Sequence, residues 1–395
     1  MSRILIFLGL QAYAVGMAFY QWSMQGVRTD EAKYLLDIPY PQPPLGRFIL
    51  GWTEVIPFQE LLWRVLIASL LVHAVFLIWR IAAKTSRTSR VFLCLAWLLS
   101  AAVLMQMGTV MMAPVTAVQG LVLVALAYFV PLKKSRWVAF GIGILWFASL
   151  FTAYQAVLYL PLVIDALRRT KTPWKEQVLY VIGPVILVFA YAFTNPLIIA
   201  SFHNAGTENE NVPFLLWFWY LGRLMLTGGS AVLTVMGLWG MLRYRRFGLI
   251  GSFVLLSAFC FISFREYYDV LFTPLFIGGA IFFFQQRKNR AFPFLPLVAG
   301  LVAATILLLW LFPWMTLPGP ARAVIQEITA RNQTGTILIS GPFGHHWQYE
   351  SRTAIERYRV ESLPSAQAAI CLNPCAEMNP TWIKLREEPE VWVRP

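Results

Sequence analysis

The sequence predicts a mainly α, polytopic membrane protein with interfacial amphipathic helices and a small α/β extracytoplasmic domain at its C-terminal end. Three observations carry this expectation. Of the 395 residues, 58% are apolar and only 13% are charged, far from the composition of a soluble globular chain. Apolar runs of roughly 20 residues, the length that crosses a bilayer core, recur along most of the chain. The formal net charge of +13 is gathered in short basic clusters at the ends of those runs. That distribution is a topology signal rather than a nucleic-acid footprint, so no nucleic-acid partner is expected.

Taken in order, the apolar runs and basic clusters give about eleven crossings with the N-terminus inside. Met1 to Gln21 could be a signal peptide, since Arg3 precedes an apolar stretch. However, no small-x-small cleavage site precedes a polar start, so an uncleaved first span over 4–22 is expected. The next segment, RTDEAKYLLDIPYPQPPLGR (28–47), is the first polar stretch and carries Asp30, Glu31 and Asp37 before a Pro-locked exit. Residues 46–57 are too short and mixed to span. Arg47, Gly51 and Glu54 oppose Phe48, Trp52 and Val55, the pattern of an interfacial helix. A second span over 60–82 returns to KTSRTSR (84–90).

The uncharged stretch Val91–Leu132 has basic residues at both ends, so it crosses twice, turning near Gly108–Pro114. Residues 137–167 lie between KKSR (133–136) and RRTK (168–171), and read as two short helices turning near Thr152–Gln155. A span over 176–194 leads to an outer loop with Glu208 and Glu210, and PFLLWFWYLGR (213–223) reads as interfacial. The remaining spans pass RYRR (243–246), FREYYD (264–269) and QQRKNR (285–290). A last span over 292–312 delivers the tail outside. On this map eighteen of the 32 Lys and Arg fall at inner ends, as the positive-inside rule requires.

The resulting division is a transmembrane domain over 1–316, with a catalytic first outer loop at 23–59, and a small extracytoplasmic α/β domain over 317–395. In the tail, TGTILISG (334–341), AAICLN (368–373) and EVWVRP (390–395) read as strands. ARAVIQEITARN (321–332) and HWQYESRTAIERY (346–358) read as helices. Cys371 and Cys375 are spaced to close a small disulfide in an oxidising compartment. A zinc site including His345 and His346 would need four close ligands.

Most acids of the membrane part lie at the outer face. Outer loops need solubility, and that suffices for Glu208 and Glu210. Asp30 and Glu31 differ: they sit within ten residues of the first span, beside Tyr34 and a Pro-locked turn. Partial desolvation at a membrane surface suits such a carboxylate to general-base work. Arg265 opposes the charge bias. It either pairs with Glu266 or Asp269, or clamps a lipid phosphate with its guanidinium fork. Lys33, Arg47, Arg64 and Arg223 are placed to compete for that phosphate.

DEAKY (30–34) followed by PYPQPPLGRFILG (39–51) resembles the first outer loop of the glycosyltransferase-C superfamily. The match is to the branch containing dolichyl-phosphate-mannose protein mannosyltransferases and bacterial lipid A aminoarabinose transferases. FREYYDVLFTPLF (264–276) is similar to the late Tyr-rich segment of that family. These motifs cover some 35 residues, while the span plan agrees over the whole chain. The resemblance implies inverting transfer of a sugar from a polyprenyl-phosphate donor at the outer leaflet to a glycan, lipid or protein acceptor. Bacterial plasma membrane and endoplasmic reticulum both stay open as its location, with the lean length and lack of long lumenal insertions favouring the bacterial one. Protein glycosylation and modification of lipopolysaccharide or another cell-envelope glycan are the processes it points to.

By motif position Asp30 is the implied base, and Glu31 assists it or holds a divalent metal ion, the one cofactor implied. Arg265, Lys33, Arg47 and Tyr267 would serve the donor phosphate, and Tyr34, Gln42 and Glu266 the substrate. Three positions depart from the pattern. Gln42 stands where relatives carry Lys or His, MMAPVTA (111–117) lacks an acid, and FTAYQAV (151–157) lacks a Lys. The competing expectation is a polytopic transporter or flippase of a lipid or small molecule. Such proteins tend to place ionisable residues at mid-membrane and to repeat their halves, and neither feature is seen.

Overall fold

A computed structural model describes the chain except residues 1, 37–42, 54–55, 133, 200–213, 263–264, 287–292, 312–319, 332–334, 342–343, 352–353, 373–377 and 379–380. Asp37, Gln42, Glu54, Glu208, Glu210 and Cys375 therefore lie outside the described residues, as do most of the Pro-rich exit and all of residues 200–213 of the expected outer loop.

The helices, in chain order, are α1 (Ser2–Tyr20), α2 (Thr29–Leu35), α3 (Pro44–Trp52), α4 (Gln59–Ile81), α5 (Arg87–Leu98), α6 (Ala101–Gln106), α7 (Met112–Val124) and α8 (Arg136–Thr152). They continue as α9 (Leu160–Thr170), α10 (Trp174–Thr194), α11 (Phe214–Arg243), α12 (Phe247–Ile262), α13 (Thr273–Gln285), α14 (Phe294–Leu311), α15 (Pro320–Ala330) and α16 (His345–Ser351). Two compact units result. One comprises Met1–Ala18 and Pro39–Thr316, and the other Phe19–Ile38 and Leu317–Pro395.

The first unit is a bundle of apolar helices. Among the described residues seven helices are long and apolar enough to cross a membrane, and two shorter apolar helices, Arg136–Thr152 and Phe247–Phe261, accompany them. The chain is thus a polytopic, mainly α membrane protein. Two breaks fall where the charge pattern asked for turns. The chain leaves helical geometry after Gln106 with Gly108 at φ +88°, and α8 gives way at Thr152 to a 3₁₀ segment over Tyr154–Tyr159. In contrast, the stretch read as an interfacial helix over 213–223 followed by a separate span stays helical past Arg223 and divides into two helices further on. Its break comes at Ser230, with φ +52° and ψ +165°.

That kink has identifiable partners. The Ser100 hydroxyl lies 3.1 Å from the carbonyls of both Thr227 and Gly228, and the Thr273 hydroxyl also donates to Gly228 O. Side chains thereby replace the backbone donors that the kink removes. Beyond it α11 and α13 pack backbone to backbone, because a Cβ on Gly240 would collide with the Gly279 carbonyl and one on Gly279 with that of Gly237. Small residues permit this close approach of apolar helices. The Tyr267–Gln285 span is accordingly 89% buried, whereas Trp174–Thr194 is 6% buried and turns its apolar side chains outward, as a lipid-facing helix does. In α3 Leu50 is buried and Phe48, Ile49 and Trp52 are exposed; Glu54 and the Arg47 side chain of the expected polar face lie outside the described residues.

The second unit holds a five-stranded mixed sheet, ordered β2-β1-β3-β5-β4, from β1 (Thr336–Ser340), β2 (Ile355–Arg357), β3 (Ala366–Cys371), β4 (Ile383–Glu387) and β5 (Glu390–Val393). β1 runs parallel to β2 and β3, and β5 antiparallel to β3 and β4. Side chains alternate across a strand, so Ile337 and Ile339 of β1 pack with Val324, Ile325 and Ile328 of α15 and Trp347 of α16. Leu338 meets Leu363, Ala369 and Trp382 on the opposite face. The stretch expected to be one helix over 346–358 is the short α16 and then, past two undescribed residues, strand β2. Cys371 is disulfide-bonded, and Cys94 and Cys260 are free thiols.

Candidate active site

Asp30, Glu31, Lys33 and Tyr34 all lie on α2. Its first turn carries both acids, which favour the positive end of the helix dipole, and its last carries Lys33. Arg28 precedes it in extended backbone, and its N–H donates to Glu31 Oε2 at 2.8 Å. This is the reciprocal half of a capping box. Glu31 is 1% exposed, so it fixes the first helical turn rather than facing solvent. Asp30 stays accessible, its carboxylate 28% exposed and 2.9 Å from the Lys33 ammonium. A partly exposed pair one turn apart contributes only about 0–1 kcal/mol, but it orients Asp30. Lys33, expected on the donor phosphate, is engaged with the proposed base.

The approach to α2 is anchored by residues some 300 positions away. Glu350 Oε1 accepts the Val27 N–H at 3.0 Å, while its Oε2 accepts Arg322 Nε at 2.9 Å. Both partners of this ion pair are largely buried. Gly26 sits at φ +69°, and a Cβ there would stand 3.0 Å from Glu350 Oε1 and 3.1 Å from Arg322 Cβ. Glycine is therefore needed twice, for its backbone conformation and for space. Burial pushes the His346 imidazole below its usual range, opposed by the Glu350 charge.

Arg265 and Tyr267 belong to the other unit. Arg265 is exposed, in extended backbone, at the entrance of a 3₁₀ segment over Glu266–Leu271. Tyr267 and Tyr268 make an edge contact at 4.6 Å. Tyr268, 6% exposed, accepts a hydrogen bond from Gln155 Nε2 at 2.9 Å, and the Tyr159 hydroxyl donates to Leu271 O at 2.7 Å. These two bonds tie the segment to the turn between α8 and α9. Sequence reasoning missed Gln155 and Tyr159. The available signal was a glutamine within an apolar stretch.

Arg64 does not compete for a phosphate. It is fully buried, its Nε 2.8 Å from Glu60 Oε1 and its Nη1 donating to Gly108 O at 2.8 Å. It pins α4 to the break before α7. Arg47 lies on α3 and Glu266 in the 3₁₀ segment, but their side chains fall outside the described residues. The described residues include no group of three His, Cys, Asp or Glu able to hold a metal ion. Glu31, named for that role by its motif position, caps α2 through its Oε2.

The architecture has solved counterparts. The crystal structure of ArnT from Cupriavidus metallidurans bound to undecaprenyl phosphate superimposes with a TM-score of 0.59 at 12% identity, covering 99% of this chain and 97% of that one. Its apo state gives 0.59 at 11% identity with the same coverage. At this identity the likeness establishes the fold, end to end, as that of ArnT. No protein-family model matches the chain, and no curated protein matches it by sequence.

Proposed function

We propose that this protein is a glycosyltransferase-C-type membrane enzyme that transfers a sugar from a polyprenyl-phosphate donor to an acceptor hydroxyl at the extracytoplasmic face. The observation that supports this best is the DEAKY helix. It presents one accessible carboxylate, with its neighbour used as a cap, in a chain whose fold is that of ArnT, which is seen bound to undecaprenyl phosphate.

In this reading Asp30 removes the acceptor proton as the acceptor oxygen attacks the anomeric carbon. The bond from that carbon to the phosphate oxygen breaks, its electron pair leaves with the polyprenyl phosphate, and the anomeric configuration inverts. Arg265, with Tyr267 beside it, stabilises the negative charge that grows on the departing phosphate. Arg47, Tyr34, Gln42 and Glu266 stand as further contacts by motif position. The eleven-span arrangement, with the N-terminus inside and the tail outside, is part of the same proposal.

Two experiments address it. Arg265→Ala is expected to weaken binding of polyprenyl phosphate to the purified protein roughly tenfold or more, the scale of one lost charge-assisted fork. Unchanged affinity would return Arg265 to the surface. In intact bacteria, Asp37→Cys should react with an impermeant thiol reagent and Lys134→Cys should not, and the reverse labelling would invert the topology.

A further inference from the structure

Apart from the Asp30 and Arg265 segments, a cavity of about 380 Å³ opens among the ends of four helical segments of the membrane unit. Arg168, Arg169, Arg245 and Arg246 line it, and Asp165 is the one carboxylate among them. Asp165 is already engaged: its Oδ2 accepts from the Tyr128 hydroxyl and, at 3.0 Å, from the Gly248 N–H. The second bond caps the start of α12. Its Oδ1 is 3.9 Å from Arg168, whose side chain is 71% exposed. Arg169 is committed to the carbonyls of Leu126 and Val130, at 2.7 and 3.0 Å, and so closes the end of the α7 run.

The Arg246 guanidinium carbon sits over the Phe282 ring, 4.1 Å from its centroid, and its buried Nε has no hydrogen-bond partner among the described residues. Arg245 is held at φ +48°, a conformation costly for a long side chain, and is exposed. Four guanidiniums thus meet one carboxylate whose lone pairs are largely taken. Guanidinium forks match phosphate oxygens, and the Phe282 ring backs the Arg246 guanidinium on one side. Phe247 at the rim is 73% exposed, placing apolar surface where an acyl chain would leave the headgroup. The clusters RRTK and RYRR put this cavity at the cytoplasmic end of the spans.

We propose that this cavity binds the phosphate of an anionic glycerophospholipid of the inner leaflet. The shared chemistry is a phosphate monoanion or dianion, and the lipid source is favoured over a soluble one by Phe247 and by the position at the span ends. Basic pockets between membrane helices on the cytoplasmic side take such headgroups. The proposal needs only the charge map and is independent of sugar transfer.

The test is native mass spectrometry of the full chain with phosphatidylglycerol, phosphatidylcholine or inorganic phosphate added. Phosphatidylglycerol should bind roughly tenfold or more tightly than phosphatidylcholine. Arg168→Gln combined with Arg245→Asn should remove most of that preference, and Arg168→Gln alone part of it, with phosphatidylcholine binding unchanged. Equal binding of the two lipids, or a preference that survives both substitutions, would overturn the site. Millimolar inorganic phosphate binding to the wild type alone, with no lipid preference, would overturn the lipid assignment.

Discussion

Asp30→Asn is expected to lower the rate of sugar transfer by about 10²- to 10⁴-fold, the usual contribution of a positioned general base. The protein should still reach the membrane and melt at nearly the wild-type temperature. The substitution is nearly isosteric, and Asp30 makes one partly exposed ion pair rather than holding a buried network. Asn keeps the space and a hydrogen bond to its surroundings but cannot accept the acceptor proton. Glu31→Gln should behave differently. Glu31 is buried and caps α2, and the amide oxygen of Gln can still accept the Arg28 N–H. A modest loss is therefore expected, whereas Glu31→Ala removes the cap, at about 0.5–2 kcal/mol by analogy with other lost caps. Transfer that survives in Asp30→Asn and fails in Glu31→Gln would exchange their roles.

The largest stability effect is expected at Arg64. Removing one member of a buried ion pair leaves the other charge without its partner, and Arg64→Leu should cost about 3–5 kcal/mol. It would break the ion pair with Glu60 and remove the Arg64 donor from Gly108 O. Glu60→Leu added to Arg64→Leu should recover most of that loss, leaving the unsatisfied Gly108 carbonyl at about 1–3 kcal/mol. Thermal unfolding in detergent, followed by near-UV circular dichroism, compares the three proteins. A single variant within 0.5 kcal/mol of wild type would show that Arg64 is not structural and return it to the phosphate-binding candidates.

How far these residues could be read from the sequence depends on the reach of the interaction involved. The spans follow from apolar runs and basic flanks, and the breaks near Gly108 and Thr152 follow from charge alone, since a single crossing cannot leave both flanks on one side. The kink at Ser230 was not legible. Arg223 was the nearest charge and suggested a boundary there, while the actual break depends on hydroxyls of Ser100 and Thr273 supplied by other helices.

The site divides in the same way. Asp30 and Glu31 stood out as acids beside the first span, and the Glu60–Arg64 spacing is visible as one helical turn. Burial of Arg64 depends on Gly108, however, and the anchoring of the segment before α2 depends on Glu350. Neither partner is implied by local pattern. Gln155 became meaningful only once Tyr268 was found against it. In the tail, alternation gave β1, β3 and β5 but not β2 or β4, whose residues, IER and IKLRE, are mostly polar.

Transfer from an isoprenoid carrier is tested most directly by profiling the lipids of cells that lack this protein. The account predicts that one polyprenyl-phosphate sugar accumulates while one envelope glycan, lipid or protein loses that sugar, and that wild type but not Asp30→Asn restores both. Unchanged carrier pools with every glycoconjugate intact would contradict it.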